Sequence, residues 1–144
     1  MDLRSVMATK SRQIISIRPD QTLADALHIL KQNNIGALVV IETGREVAGI
    51  LSERDIVRAA ADDKEFAALH VAQVMTKDVV LGIPDDDVMH VAHVMTERRF
   101  RHLPVVDQEN QIIGIVSIGD ILKSQRDQFL GELDTLETRL LADD

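Results

Sequence analysis

The chain has no cysteine, tryptophan or tyrosine, and Phe66, Phe100 and Phe129 are its only aromatic side chains. Without cysteine there can be no disulfide, thiolate metal site or thiol nucleophile. Without an aromatic shelf, any nucleobase held here has to lie against aliphatic side chains. No apolar run approaches the ~18 residues that a membrane span requires, and none resembles the core of a secretory signal, so a cytoplasmic location is expected. Positive charge is also scarce. Lysine and arginine number 16 against 24 aspartates and glutamates, a formal charge of −8. An acidic body repels phosphate backbones, which argues against general nucleic-acid binding.

What the 144 residues do contain is one pattern written twice. Shifted by 65 positions, Pro19-Asp20 falls on Pro84-Asp85, His28 on His93, Leu38 on Leu103 and Val40 on Val105. Gly49-Ile50 falls on Gly114-Ile115, Ser52 on Ser117 and Asp55-Ile56 on Asp120-Ile121, making ten gap-free identities across residues 19–58. Val6-Met7 and Val74-Met75 match at a shift of 68, so the first copy carries three additional residues near its start. A regular internal repeat of this kind governs the whole fold assignment.

Each copy reads as β-α-β-β-α. A β-rich run, Ile14–Ile17 or Val79–Ile83, stops at a proline, which cannot continue a central strand. Helical spacing follows in Leu23, Ala26, Leu27 and Leu30, and again in Val88, Val91, Val94 and Met95. Two apolar strands flank a polar turn, 37–41 with 47–51 and 103–106 with 112–116, before Ser52 or Ser117 opens a second helix. A unit of about 55 residues buries little surface alone. An α/β (α+β) fold is therefore expected, with two repeats packed around a pseudo-two-fold axis and two equivalent clefts between them. The expected divisions are 3–61, a connector at 62–73, 74–123, and an extended C-terminal amphipathic helix at 124–144.

The strand-to-helix junctions, Gly49-Ile50-Leu51-Ser52-Glu53-Arg54-Asp55 and Gly114-Ile115-Val116-Ser117-Ile118-Gly119-Asp120, are the strongest motif. Serine followed by an acid three positions later suits a helix cap, worth about 1 kcal/mol. The same geometry presents N–H groups and a positive dipole end to an anion, and a carboxylate that accepts from a ribose diol. Both readings stand on the motif alone.

The repeated junction, Pro19 and Pro84, and Arg101-His102-Leu103-Pro104-Val105 resemble a tandem pair of cystathionine-β-synthase (CBS) domains, the Bateman module, over roughly residues 3–123. In character the chain is most similar to stand-alone bacterial CBS-pair proteins. The resemblance implies a non-catalytic sensor of adenine nucleotides (AMP, ADP, ATP, NAD(H)) or S-adenosylmethionine, working as a homodimer on an unidentified regulated partner. It further implies one cleft built from Ser52, Arg54, Asp55, Val79, Val80, Arg101 and His102. The other would combine Ser117 and Asp120 with Ile14, Ile15, Gly36 and Ala37. Gly36, Ala37 and Gly119 stand where the first cleft has Arg101, His102 and Arg54, so a phosphate meets no arginine from these positions in the second cleft.

Other features carry less. Arg98 and Arg99 suit a solvated helix end, and Asp85-Asp86-Asp87 suits a helix N-terminus. His90 and His93, one turn apart, have no third ligand in view and read as surface histidines. No catalytic constellation or metal site is visible in the sequence. Beyond residue 118, Leu122, Phe129 and Leu136 alternate with Leu133 and Leu140 as a short coiled-coil seam, interrupted at Arg126 and weakened by Gly131. It could pack on its own domain or on a second protomer. The rival to a sensor is a ligand-free interaction or dimerisation protein.

Overall fold

The computed structural model describes residues 1–9 and 13–143, with backbone alone over 134–143. Helix α1 (Leu3–Met7) leads into β1 (Ser16–Ile17), α2 (Leu23–Asn33), β2 (Ala37–Ile41), β3 (Val47–Ser52) and α3 (Glu53–Asp62). A 3₁₀ turn at Phe66–Ala68 and α4 (Val71–Val74) join this to α5 (Val88–Arg98), β4 (His102–Val106), β5 (Ile112–Ser117) and α6 (Ile118–Asp143). The segment expected as a connector thus holds a short helix of its own. Among the described residues, no helix is long and apolar enough to cross a membrane.

Strands β2 and β3 pair antiparallel, as do β4 and β5, and each hairpin carries a register shift at its distal end. Strand β1 adds to β2 in parallel, with Ser16 opposite Val39 and Ile17 opposite Val40. Its counterpart, expected over Val79–Ile83, shrinks to a single bridge between Gly82 and Val105. The cause lies in the partner strand. Pro104 stands where the first copy has Val39, and a residue without an N–H cannot extend the ladder.

The core divides in two, and the short leading helices are exchanged between the divisions. Leu3 and Val6 of α1 pack with Val88, Val91, Met95, Leu103, Val105, Val116 and Ile121 from the second copy. Val71 of α4 packs with Ile17, Leu23, Ala26, Leu30, Leu38, Val40, Leu51 and Ile56 from the first. The backbone repeats the arrangement. Leu3 N–H donates to Asp86 O (3.0 Å) and Arg4 N–H to Pro84 O (3.0 Å). Their repeat equivalents do the same, Val71 N–H to Gln21 O (2.8 Å) and Ala72 N–H to Pro19 O (3.0 Å). These matched bonds express the pseudo-two-fold relation between the halves. The helical faces fall as their spacing predicts, except that Leu27 is exposed.

Candidate functional site

Ser52 and Ser117 end their strands in extended backbone and cap the helices that follow. Asp55 N–H donates to Ser52 Oγ (3.2 Å), and Ser52 N–H donates to Asp55 Oδ2 (2.9 Å). Asp120 N–H to Ser117 Oγ (3.0 Å) and Ser117 N–H to Asp120 Oδ2 (2.8 Å) repeat the box. The first N–H of each helix is also engaged, Glu53 with Gly36 O (3.0 Å) and Ile118 with Arg101 O (2.9 Å). A helix start has only four N–H groups without intrahelical partners. The cap and the cross-strand bond use the first and third, leaving those of Arg54 and Gly119 closest to an incoming anion. The capping and anion-holding readings are therefore compatible, but each helix offers an anion few donors.

One cavity of about 1010 Å³ gathers Ile14, Ile15, Gly36, Ala37, Ser117 and Asp120, the full set expected for the second cleft. The segments ahead of β1 and β2 from the first copy meet the β5–α6 junction of the second. His102, which the family resemblance assigns to the other cleft, also lines this cavity. The reason is that β2 and β4 begin side by side at the pseudo-two-fold axis, where a Cβ on Gly36 would stand 3.4 Å from His102 Nε2. Gly36 and His102 are thus near neighbours across that axis.

Sequence reasoning missed Arg4, Met7, Ala8, Gln13 and Arg45 as lining residues, together with Ile113 and Ile115. Arg4 comes from exchanged helix α1, and Arg45 from the β2–β3 turn. Arg45 O accepts from Ile112 N–H (3.0 Å), fastening that turn to the second copy. The repeat equivalents of these two arginines are Ala72 and Asn110, so the cations are particular to this cavity. Only the helix exchange brings Arg4 here, and the Val6-Met7/Val74-Met75 match was the one available signal of a repeated leading element.

In the other junction, Ser52, Asp55, Val79 and Val80 are half-buried, while Arg54 and Arg101 are exposed. His28, His90 and His93 are exposed on α2 and α5, as are Arg98 and Arg99, the latter capping α5 in left-handed backbone (φ 59°). Among the described residues, no group of three or more histidines or acids is placed to hold a metal ion.

The family model of the CBS domain matches the chain twice, over residues 3–62 and 71–127. The CBS domain-containing protein YhcV of Bacillus subtilis is 33% identical over 123 residues, covering 85% of this chain and 86% of its own. The crystal structure of a CBS-domain-containing protein from Agrobacterium tumefaciens superimposes with a TM-score of 0.83 at 32% identity, covering 87% of this chain and 99% of the other. The CBS domain pair of protein MJ0100, in complex with 5′-methylthioadenosine and S-adenosyl-L-methionine, superimposes with a TM-score of 0.79 at 26% identity. That overlap covers 89% of this chain and 98% of the other.

Proposed function

The chain belongs to the CBS-domain family and carries the domain twice, and from that premise we propose that it is a non-catalytic regulatory module binding an adenosine-bearing ligand between its halves. The observation that carries this reading is the cavity that joins Ser117 and Asp120 to Ile14, Ile15, Gly36 and Ala37. Its volume of about 1010 Å³ lies at the upper end of small-molecule sites. Ile14, Ile15, Ala37 and Ile113 offer an adenine ring the aliphatic surface that a chain without tryptophan or tyrosine must use. Asp120 suits the ribose diol and the dipole of α6 suits an anion.

The relative MJ0100 is described with S-adenosyl-L-methionine. S-adenosylmethionine carries a net positive charge, its sulfonium and ammonium outweighing its carboxylate, which Arg4 and Arg45 oppose, so the reading here favours phosphorylated ligands: AMP, ADP, ATP or NAD(H). The exposed apolar residues of α6 support a further element, association with a second copy through that helix. Binding would then be read by a separate regulated protein.

Calorimetry with AMP, ADP, ATP, NAD, NADH and S-adenosylmethionine tests the reading. Because the polypeptide lacks tryptophan and tyrosine, co-purified adenine would dominate its near-ultraviolet absorbance. Submillimolar binding of at least one phosphorylated ligand is expected. No binding of any member at millimolar concentration would leave the ligand-free interaction protein as the better account.

A further inference from the structure

Resting on that reading, we infer that the charge selectivity of the Ser117 cavity resides in Arg4 and Arg45, outside both strand-to-helix junctions. At the junctions this cavity is poor in charge, having Gly36, Ala37 and Gly119 where the other has Arg101, His102 and Arg54. His102 does reach it, but across the pseudo-two-fold axis. Among the described residues, the guanidinium-bearing members of its lining come from elsewhere, Arg4 from a helix packed on the opposite repeat and Arg45 from a hairpin turn. Guanidinium groups are suited to phosphate by fixed, fork-like donor geometry and permanent charge. A nucleoside presents no anionic group for them to hold.

Arg4 already has counter-ions. Its guanidinium lies 2.8 Å from Asp85 Oδ1 and 3.4 Å from Asp2 Oδ2. Both partners of the shorter pair are well exposed, Arg4 62% and Asp85 75%, and exposed pairs of this sort are weak. A phosphate bearing up to two charges would compete effectively for Arg4. Asp85 is therefore a mild antagonist of the ligand, holding the guanidinium when the cavity is empty. Leu3 and Val6 anchor α1 independently of this pair, so Arg4 can change partner without the helix leaving its seat.

Paired titrations of AMP and adenosine against the full chain test the assignment. Arg4→Gln should weaken AMP about tenfold or more while leaving adenosine unchanged. Arg45→Gln should act in the same direction. Asp85→Asn should strengthen AMP binding and leave adenosine alone, an effect that a damaged fold would not produce. Equal losses for both ligands in Arg4→Gln would show that Arg4 serves α1 rather than the phosphate, and would overturn the assignment. So would an unchanged AMP affinity in Arg4→Gln, or an Asp85→Asn variant that binds AMP no better. Adenosine binding as tightly as AMP to the unaltered chain would overturn the selectivity but keep the adenosine site. Failure of both ligands at millimolar concentration would remove the site itself.

Discussion

Gly114 of β5 and Met7 of α1 meet so closely that a Cβ on the glycine would stand 2.8 Å from the methionine Cε. The equivalent pair in the other half is Gly49 with Met75, where the Cβ would stand 2.8 Å from the sulfur. The junction glycine is thus a crossing point: the exchanged leading segment lies over the strand that feeds the capped helix. The two crossings differ in what surrounds them. Among the described residues, only the flexible end of Met7 is close to a Cβ on Gly114, whereas a Cβ on Gly49 would also stand 2.8 Å from the Thr76 carbonyl oxygen. Backbone cannot rotate away as a methionine methyl can. Gly49→Ala should therefore destabilise by about 1–3 kcal/mol, the usual range for overpacking, and Gly114→Ala by clearly less. Denaturant unfolding of both variants checks the order, and equal costs would contradict it.

The helix exchange predicts where damage appears. Leu3 is fully buried, yet its neighbours belong to the second copy. Leu3→Ala should cost about 2–5 kcal/mol, as for other buried leucines. Native-state hydrogen exchange should show the loss first in α5, β4 and β5, sparing β2 and β3, although residue 3 stands at the start of the first copy. Val71→Ala, in the mirror position, should loosen α2, β2 and β3 instead. Protection lost first in the copy adjacent in sequence would contradict the exchange.

The duplicated unit was legible because ten identities fall in one gap-free register, and the Ser-x-x-Asp box because its spacing is that of a reciprocal cap. The exchange of α1 and α4 was not, since helices of five and four residues are too short to show periodicity. Arg4 and Arg45 escaped for the same kind of reason: neither lies in a repeated motif, and only tertiary placement brings them to the cavity. The missing strand near Gly82 was hidden differently. Val79–Ile83 has strand-like composition, but pairing depends on the partner, and Pro104 withholds the N–H that Val39 supplies. Leu136 and Leu140, two of the five residues of the expected seam, fall where side chains lie outside the described residues.

Asp2 gives α1 a pH dependence. Its Oδ1 accepts from Ser5 N–H at 3.1 Å as the helix N-cap, and this bond above all holds the carboxyl below the ordinary carboxylate range. The Ser5 hydroxyl and Arg4 act in the same direction, while desolvation opposes them. A group with a depressed folded pKa stabilises the fold above its unfolded value and loses that contribution as pH falls through the folded one. Acidification through the carboxylate range should therefore loosen α1, seen as a shift of the Ser5 amide resonance with an NMR midpoint below that of an unstructured aspartate. Asp2→Asn should abolish this step while preserving the helix near neutral pH, because asparagine is an equally good N-cap. A midpoint at the unstructured value would exclude the cap as its cause.

The final prediction concerns α6, which continues well beyond the length of α3, its counterpart. Leu122 (59% exposed), Phe129 (63%), Leu130 and Leu133 leave apolar surface uncovered along it. These residues follow the spacing of a helical seam, and two copies of α6 could shield one another's apolar stripe. Phe129→Glu combined with Leu133→Glu would place carboxylates in such a seam, where burying an unpaired charge is prohibitive. The pair should dissociate rather than accommodate them. Among the described residues, both cores are made by residues before Leu122, and the Ser117 cavity is lined by none beyond Asp120. Light scattering should therefore report a smaller species while AMP titration per chain is unchanged. An oligomer of unaltered size would place association elsewhere, and a variant that has lost AMP binding would mean that α6 also supports the cavity.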